Sequence, residues 1–378
     1  MTSKWRGDFF IRYGFLVLVV VSIWASNASA DDDGDEFVSI LERIRTAQQQ
    51  VSYVGKQLSV HWAPNGCFVR EEQVVHQPPS THIVKLLLPL EPPRAIFGGR
   101  ERRRGEGGGE GRQWGRGKGG PPMEHRPGPG FFSPDARQLS IELMSQEEIT
   151  LLTRNYTHSR TLSEMVAGHP TDLLVIAPKF EGRPTGRFWI ARDKGIVLRR
   201  EDYDAQGQLR SLAVYSQIDF REPQVQEALK ALQAEGNLPD RGRSSLEKPV
   251  TLTEAREALS DQLALPAYLP PGFQLQRVGL MQPPGGVAVH LRYTDGLMVL
   301  SLFEDNRDRQ PPERPMDGPG QWQGEVENLR GVTVQVIDLR QLHILRWVRG
   351  KAGFTLIGEL NRDEMTQIAA SLISGEAQ

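Results

Sequence analysis

The sequence predicts a mainly β protein with some helix, in two domains of the α+β class whose strands are antiparallel. Three observations carry this: a length of 378 residues, at roughly 100 to 200 per domain; many short runs rich in β-branched and aromatic residues, separated by Gly/Pro/Asn/Asp turns; and a polar, core-free stretch at 235–249 between two such series.

Residues 1–30 carry Lys4, Arg6 and Arg12, an apolar run from Phe15 to Ile23 and the small-x-small ending Ala28-Ser29-Ala30. This is the pattern of a cleavable secretory signal peptide, so the mature chain is expected to begin at residue 31 and to work outside the cytoplasm. Lys+Arg 45 against Asp+Glu 47 gives a formal charge of −2, which argues against capture by nucleic acid. The single cysteine, Cys67, forms no internal disulfide and lies too far along the chain for N-terminal lipidation; it reads as a buried or incidental thiol.

In the mature chain, Phe37, Ile40, Leu41, Ile44 and Ala47 recur at helical spacing over 37–50. Strand patterns follow at 53–62, 68–75 and 83–88. Residues 98–130 hold 13 glycines and eight Arg/Lys against four Glu, which cannot build a core and read as a flexible insertion. Ser145-Gln-Glu-Glu148 is a capping box opening a short helix to about Arg154. Strands are then expected at 157–166, 173–177, 186–191, 196–203 and 209–220, with Leu212, Val214, Ile218 and Phe220 sharing one face of the last. A short helix spans 224–233.

Beyond the linker the pattern predicts a helix from Thr253 and a rigid Leu269-Pro-Pro-Gly-Phe273 turn. Strands follow at 274–281, 287–293, 297–303, 325–329, 332–336, 342–349 and 354–359, with a closing helix capped by Asn361. The boundaries are 31–222 for the first domain, 223–250 for helix and linker, and 251–378 for the second domain.

Motifs for chemistry are sparse. The eight histidines show no metal-ligand spacing, and there is no nucleophile elbow, P-loop or dinucleotide fingerprint. No enzyme, cofactor or metal is expected. Asn155-Tyr-Thr157 is a formal glycosylation sequon.

Two sets of residues resemble known families. Leu173-Leu-Val-Ile-Ala-Pro-Lys179, Gly186-Arg-Phe-Trp-Ile-Ala-Arg-Asp193, Gly195-Ile-Val-Leu-Arg-Arg200 and Tyr203-Asp-Ala-Gln-Gly207 are similar to the repeated hairpins of lipoprotein-carrier-like half-barrels. Leu269-Pro-Pro-Gly-Phe273, Tyr293-Thr-Asp-Gly-Leu-Met-Val-Leu-Ser-Leu302 and Phe354-Thr-Leu-Ile-Gly-Glu-Leu-Asn-Arg-Asp-Glu-Met365 resemble the C-terminal domain of the RseB/MucB family, periplasmic regulators of envelope-stress sigma-factor signalling.

The first resemblance implies a curved antiparallel half-barrel plugged by helices. The second implies a periplasmic regulator that binds a membrane-anchored anti-sigma factor and shields it from proteolysis until lipoprotein or lipopolysaccharide acyl chains bind. A lipid or lipoprotein carrier is the alternative, and a homo-oligomer is left open. On this reading Tyr293, Asp295, Gly296 and Leu297 belong to the partner-binding domain, unless Asp295-Gly296 is simply a type I′ hairpin turn. Tyr53, Trp62, Phe188, Trp189, Leu198 and Val214 are candidates for the acyl-chain cavity, with Phe188 and Trp189 on opposite faces. Arg100, Arg102, Arg103, Arg104, Arg112, Arg116 and Lys118 are candidates for anionic headgroups.

Overall fold

The computed structural model describes residues 30–63, 66–79, 81–88, 141–235, 247–260, 263–283, 286–306, 324–339 and 342–375. The stretch expected to be a signal peptide, apart from Ala30, and the Gly/Arg-rich stretch at 98–130 lie outside these residues. Among the described residues, no helix is long and apolar enough to cross a membrane.

Two open antiparallel sheets of eight strands each form the framework. The first contains β1 (Tyr53–Ala63), β2 (Gly66–Gln77), β3 (Thr81–Leu88), β4 (Tyr156–Val166), β5 (His169–Pro178), β6 (Thr185–Ala191), β7 (Val197–Tyr203) and β8 (Leu209–Asp219). Their spatial order is β3-β2-β1-β8-β7-β6-β5-β4, so β3 and β4 are edges and the sheet is not a closed barrel. The long return from β3 to β4 carries the insertion, and β8 closes the meander by pairing with β1.

Helices fill one face of this sheet. Helix α1 (Ala30–Gln50) starts seven residues before the expected apolar stripe, on a polar first turn and a half. Its Phe37, Ile40, Leu41 and Ile44 pack with Leu174, Ile176, Phe188 and Ile190 of the sheet. Helix α2 (Gln146–Asn155) adds Ile149 and Leu152 to that core, and both halves of its Ser145–Glu148 capping box are formed. Helix α3 (Glu222–Ala234) covers Val75 through Val225, Leu229 and Leu232.

Strand β8 departs from the expected single apolar face. Gln57 pairs with Tyr215 and Lys56 with Gln217, which leaves Ser216 in a bulge. The bulge flips the period: Ala213 and Tyr215 face inward, Leu212 and Val214 outward, and Ile218 returns inward opposite Gly55.

The second sheet holds β9 (Glu247–Pro249), β10 (Gln274–Met281), β11 (Ala288–Thr294), β12 (Val299–Asp305), β13 (Glu325–Leu329), β14 (Val332–Leu339), β15 (Leu342–Arg349) and β16 (Ala352–Gly358), in the order β13-β14-β15-β16-β12-β11-β10-β9. Strand β9 lies inside the stretch read as linker, because three of its residues extend the sheet beside β10. Helices α4 (Leu252–Ala258) and α5 (Arg362–Ser374) pack on one face, where Leu300, Leu302, Leu345, Trp347, Leu356, Met365 and Ile368 form the core. Trp347 and Phe354 stack there with ring centroids 5.1 Å apart.

Two carboxylates are buried on β12, Glu304 and Asp305. Glu304 is 1% exposed and accepts the Ala264 N–H at 2.8 Å. Burial pushes its pKa up to about 7, against the pull of that N–H and of Arg349. The folded chain therefore keeps a proton that the unfolded chain releases near pH 4.5. Stability falls as pH rises from about 4.5 to 7, by roughly 3 kcal/mol. Glu304→Gln is expected to leave stability at pH 5 nearly unchanged and to raise it at pH 8, which urea unfolding at the two pH values checks.

Candidate functional site

Where α1 stops, the inner face of the first sheet opens into a cavity of about 310 Å³. Its wall is apolar where Val74, Leu198, Ala213 and Tyr215 line it and charged where Arg70, Glu72, Glu142 and Arg200 do. Arg70 and Glu72 pair at 3.2 Å. Burial pushes the Glu142 carboxyl up, Arg200 pulls it down and Asp202 adds to the rise. The Tyr53 and Tyr215 hydroxyls bond each other, and burial raises both. Val84 and Leu143 stand exposed at the mouth, 45% and 74%, with Leu86 beside them on β3 at 45%. Such a wall suits an amphipathic ligand, with apolar rim and floor and polar groups that orient a head.

The six residues expected to line an acyl-chain cavity are divided by the fold. Tyr53 and Leu198 do line it. Phe188 shares the inner face but is sealed under α1. Trp189 and Val214 both pair with Arg199 and so lie on the outer face, where the Arg199 guanidinium sits 4.4 Å over the Trp189 ring. Trp62 is 38% exposed near the end of the β1–β2 hairpin. The charged lining was not foreseen, because Arg70, Glu72 and Arg200 come from strands distant in sequence. The arginines and lysine of 100–118 lie outside the described residues.

A second constellation joins the two units. Arg183, in the turn between β5 and β6, has its side chain 1% exposed and donates through both terminal nitrogens to Glu364 of α5, at 3.0 and 2.8 Å. Its Nε lies 3.7 Å from Asp295 Oδ2. The Tyr156 hydroxyl donates to that same oxygen at 2.8 Å, and Asn155 Nδ2 donates to the carbonyls of Asp295 at 2.7 Å and Gly272 at 3.0 Å. Asp295 Oδ1 accepts the N–H groups of Leu297 and Met298 at 2.9 and 2.7 Å. Burial pushes the Asp295 carboxyl up, and these donors with Arg183 pull against it.

This geometry corrects the reading of 293–297. The loop between β11 and β12 holds four residues, Thr294 pairing with Val299, and it is an Asp-capped turn in which Gly296 alone has positive φ, +102°. A type I′ turn needs two such residues. A Cβ at Gly296 would lie 2.5 Å from the backbone nitrogen of Leu152, so only glycine lets the loop approach α2. Leu297 inserts into the core of the first unit, and Tyr293 is buried in that of the second. These four residues are buried at a joint between the units. The sequon at Asn155 is buried in the same joint with its amide committed, so it cannot carry a glycan.

A polar relay that sequence spacing could not reveal lies on the outer face of the second sheet. His290 Nδ1 donates to Glu247 at 3.2 Å and its Nε2 accepts from Ser301 at 3.0 Å. Burial lowers the His290 pKa, so the neutral ring links the two. Ser301 is paired on both sides in the ladder, with Arg292 and Ile357, so the neighbouring strands offer its hydroxyl no oxyanion-binding loop. Elsewhere, buried His76 donates Nε2–H to the Gln48 carbonyl at 2.7 Å, and Cys67 is exposed rather than buried. No group of three or more potential metal ligands occurs among the described residues.

The fold and its joint define a two-unit protein of open antiparallel sheets. Residues 131–234 match the model of the MucB/RseB N-terminal domain. Over that segment, a little over a quarter of its length, the chain is similar to the MucB/RseB N-terminal domain. Its structure is similar to that of MucB in complex with MucA(peri), at 17% identity and a TM-score of 0.46, over 89% of this chain and 97% of that one. The Pseudomonas aeruginosa MucA/MucB complex gives 18% and 0.46, over 89% and 98%. A putative outer membrane lipoprotein-sorting protein domain from Vibrio parahaemolyticus gives 13% and 0.19, over 52% and 98%. No curated protein matches the chain.

Arg183→Ala would leave Asp295 and Glu364 buried without their cation, at an expected cost of about 3–5 kcal/mol. Leu297→Ala should cost about 2–4 kcal/mol by emptying its place in the first core. Urea unfolding followed by tryptophan fluorescence and by hydrogen exchange checks both; the joint is expected to open before either sheet unfolds.

Proposed function

We propose that this chain is a non-enzymatic periplasmic regulator that binds the extracytoplasmic segment of a membrane-anchored anti-sigma factor, shields it from proteolysis, and releases it when lipoprotein or lipopolysaccharide acyl chains bind. The observation that carries this reading is the match of 131–234 to the MucB/RseB N-terminal domain. The cavity supports it, because its exposed apolar mouth and its wall of apolar and charged groups suit an acyl chain with a polar head. Arginines of 100–118 serve here as contacts for anionic headgroups. No covalent step is required.

Release of one ligand by another requires that the lipid bind the partner-free form more tightly. The cavity lies on the first sheet, and the joint ties that sheet to the second unit through α2 and the β5–β6 turn. In this reading Tyr293, Asp295, Gly296 and Leu297 act as the hinge whose setting the lipid changes.

The test is a pull-down with residues 31–378 from an envelope extract of the source organism, followed by protease challenge of the captured segment with and without lipopolysaccharide. Capture of a single-span anti-sigma protein, protected until lipid is added, is expected. Capture of lipoprotein alone would replace the regulator with a carrier. Ala213→Trp, which fills the cavity wall, should raise the lipid needed for half-release about tenfold while the partner still binds.

A further inference from the structure

A second cavity, larger than that of the first sheet, lies in the second unit, away from both the first-sheet cavity and the joint. It measures about 770 Å³ and is bounded by the segment 263–267, the turn between β15 and β16, and the C-terminal end of α5. That volume is within the usual range of small-ligand sites.

Its floor is apolar, built from Leu263, Phe354 and Leu372. Three cations stand around it, Arg256 from α4, Arg349 from the end of β15 and Lys351 from the turn. Arg349 is partly committed, since its Nη1 donates to the carbonyl of Leu372 at 3.1 Å and also to that of Gly375 at the end of α5. Arg256 Nε is buried without a hydrogen-bond partner, an arrangement that costs free energy unless something supplies an acceptor. Among the described residues Lys351 has no ion pair. Among the described residues the one acid in the wall is Glu304, already held by the Ala264 N–H; burial raises its pKa to about 7, so near neutrality it is only partly ionised and offsets the three cations only in part.

We propose that this pocket binds an apolar group carrying a carboxylate, with the apolar body on Leu263, Phe354 and Leu372 and the carboxylate between Arg256 and Lys351. The open, half-polar wall is suited to a short apolar body and unsuited to a long acyl chain, which favours enclosure. Two sources share this chemistry: the free C-terminus of a polypeptide and a small aliphatic acid. The inference is independent of the regulatory reading, since it uses none of the first unit.

The test is calorimetric titration of the full mature chain with three probes: an acetylated Ala-Ala-Leu-Phe tetrapeptide with a free C-terminus, the same peptide amidated, and hexanoate. Fluorescence of Trp347, stacked on the pocket residue Phe354, gives a second readout. Binding of the free acid, at least about tenfold tighter than the amide, is expected. Arg256→Gln with Lys351→Ala should weaken it about tenfold or more, while Ala213→Trp in the first unit should leave it unchanged. Preference for the peptide over hexanoate supports a polypeptide terminus, and equal binding supports a free acid. Equal binding of acid and amide, indifference to the double substitution in a chain that unfolds normally, or no binding of any probe at millimolar concentration would overturn the proposal.

Discussion

The relation between the two sheets depends on one buried guanidinium. Arg183 sits between Glu364 and Asp295, one bonded through both terminal nitrogens and the other close to its Nε. Buried charges are costly to desolvate and repay that cost only when geometry and further hydrogen bonds are complete. Here the further bonds come from both units, Tyr156 and Asn155 from the first and the Leu297 and Met298 amides from the second, while the Arg183 Nε has only its 3.7 Å approach to Asp295. A network divided in this way fixes orientation, because neither unit alone satisfies it.

Packing follows from the same contact. Gly296 allows the Asp295 loop to reach the backbone of α2, and Leu297 then enters the core formed by α1, α2 and the first sheet. The apolar insertion supplies burial and the polar network supplies direction, a division common at joints that must be specific without being extensive. Opening the joint would expose Leu297 and uncover charged groups together, so it has two discrete arrangements more readily than a continuum. That is the property required of an element that couples one binding event to another.

The two cavities differ in a way that their electrostatics explain. In the first sheet, Arg70 and Glu72 pair along β2 and Arg200 of β7 attracts Glu142, so cations and acids offset one another within the wall. In the second unit, among the described residues, three cations face a single acid whose ionisation burial suppresses in part. The first offsets its charges within its own wall, and the second leaves positive charge in excess.

Much of the architecture was legible because local rules were obeyed. The α1 stripe, the Ser145 capping box, the Asn361 cap and most strand limits follow from periodicity and turn chemistry within a few residues. The bulge at Ser216 was invisible, since an extra residue leaves no mark in a period-two pattern, and it moved Val214 off the cavity face. Strand β9 was read as linker because three residues carry no periodicity. What the sequence by itself determined is the set of elements, their antiparallel succession and the family likeness of its motifs. Which residues meet was decided only by the tertiary structure. Arg183 and Glu364 lie 181 positions apart, and Asn155 and Asp295 140, and no local propensity encodes contacts at such separation.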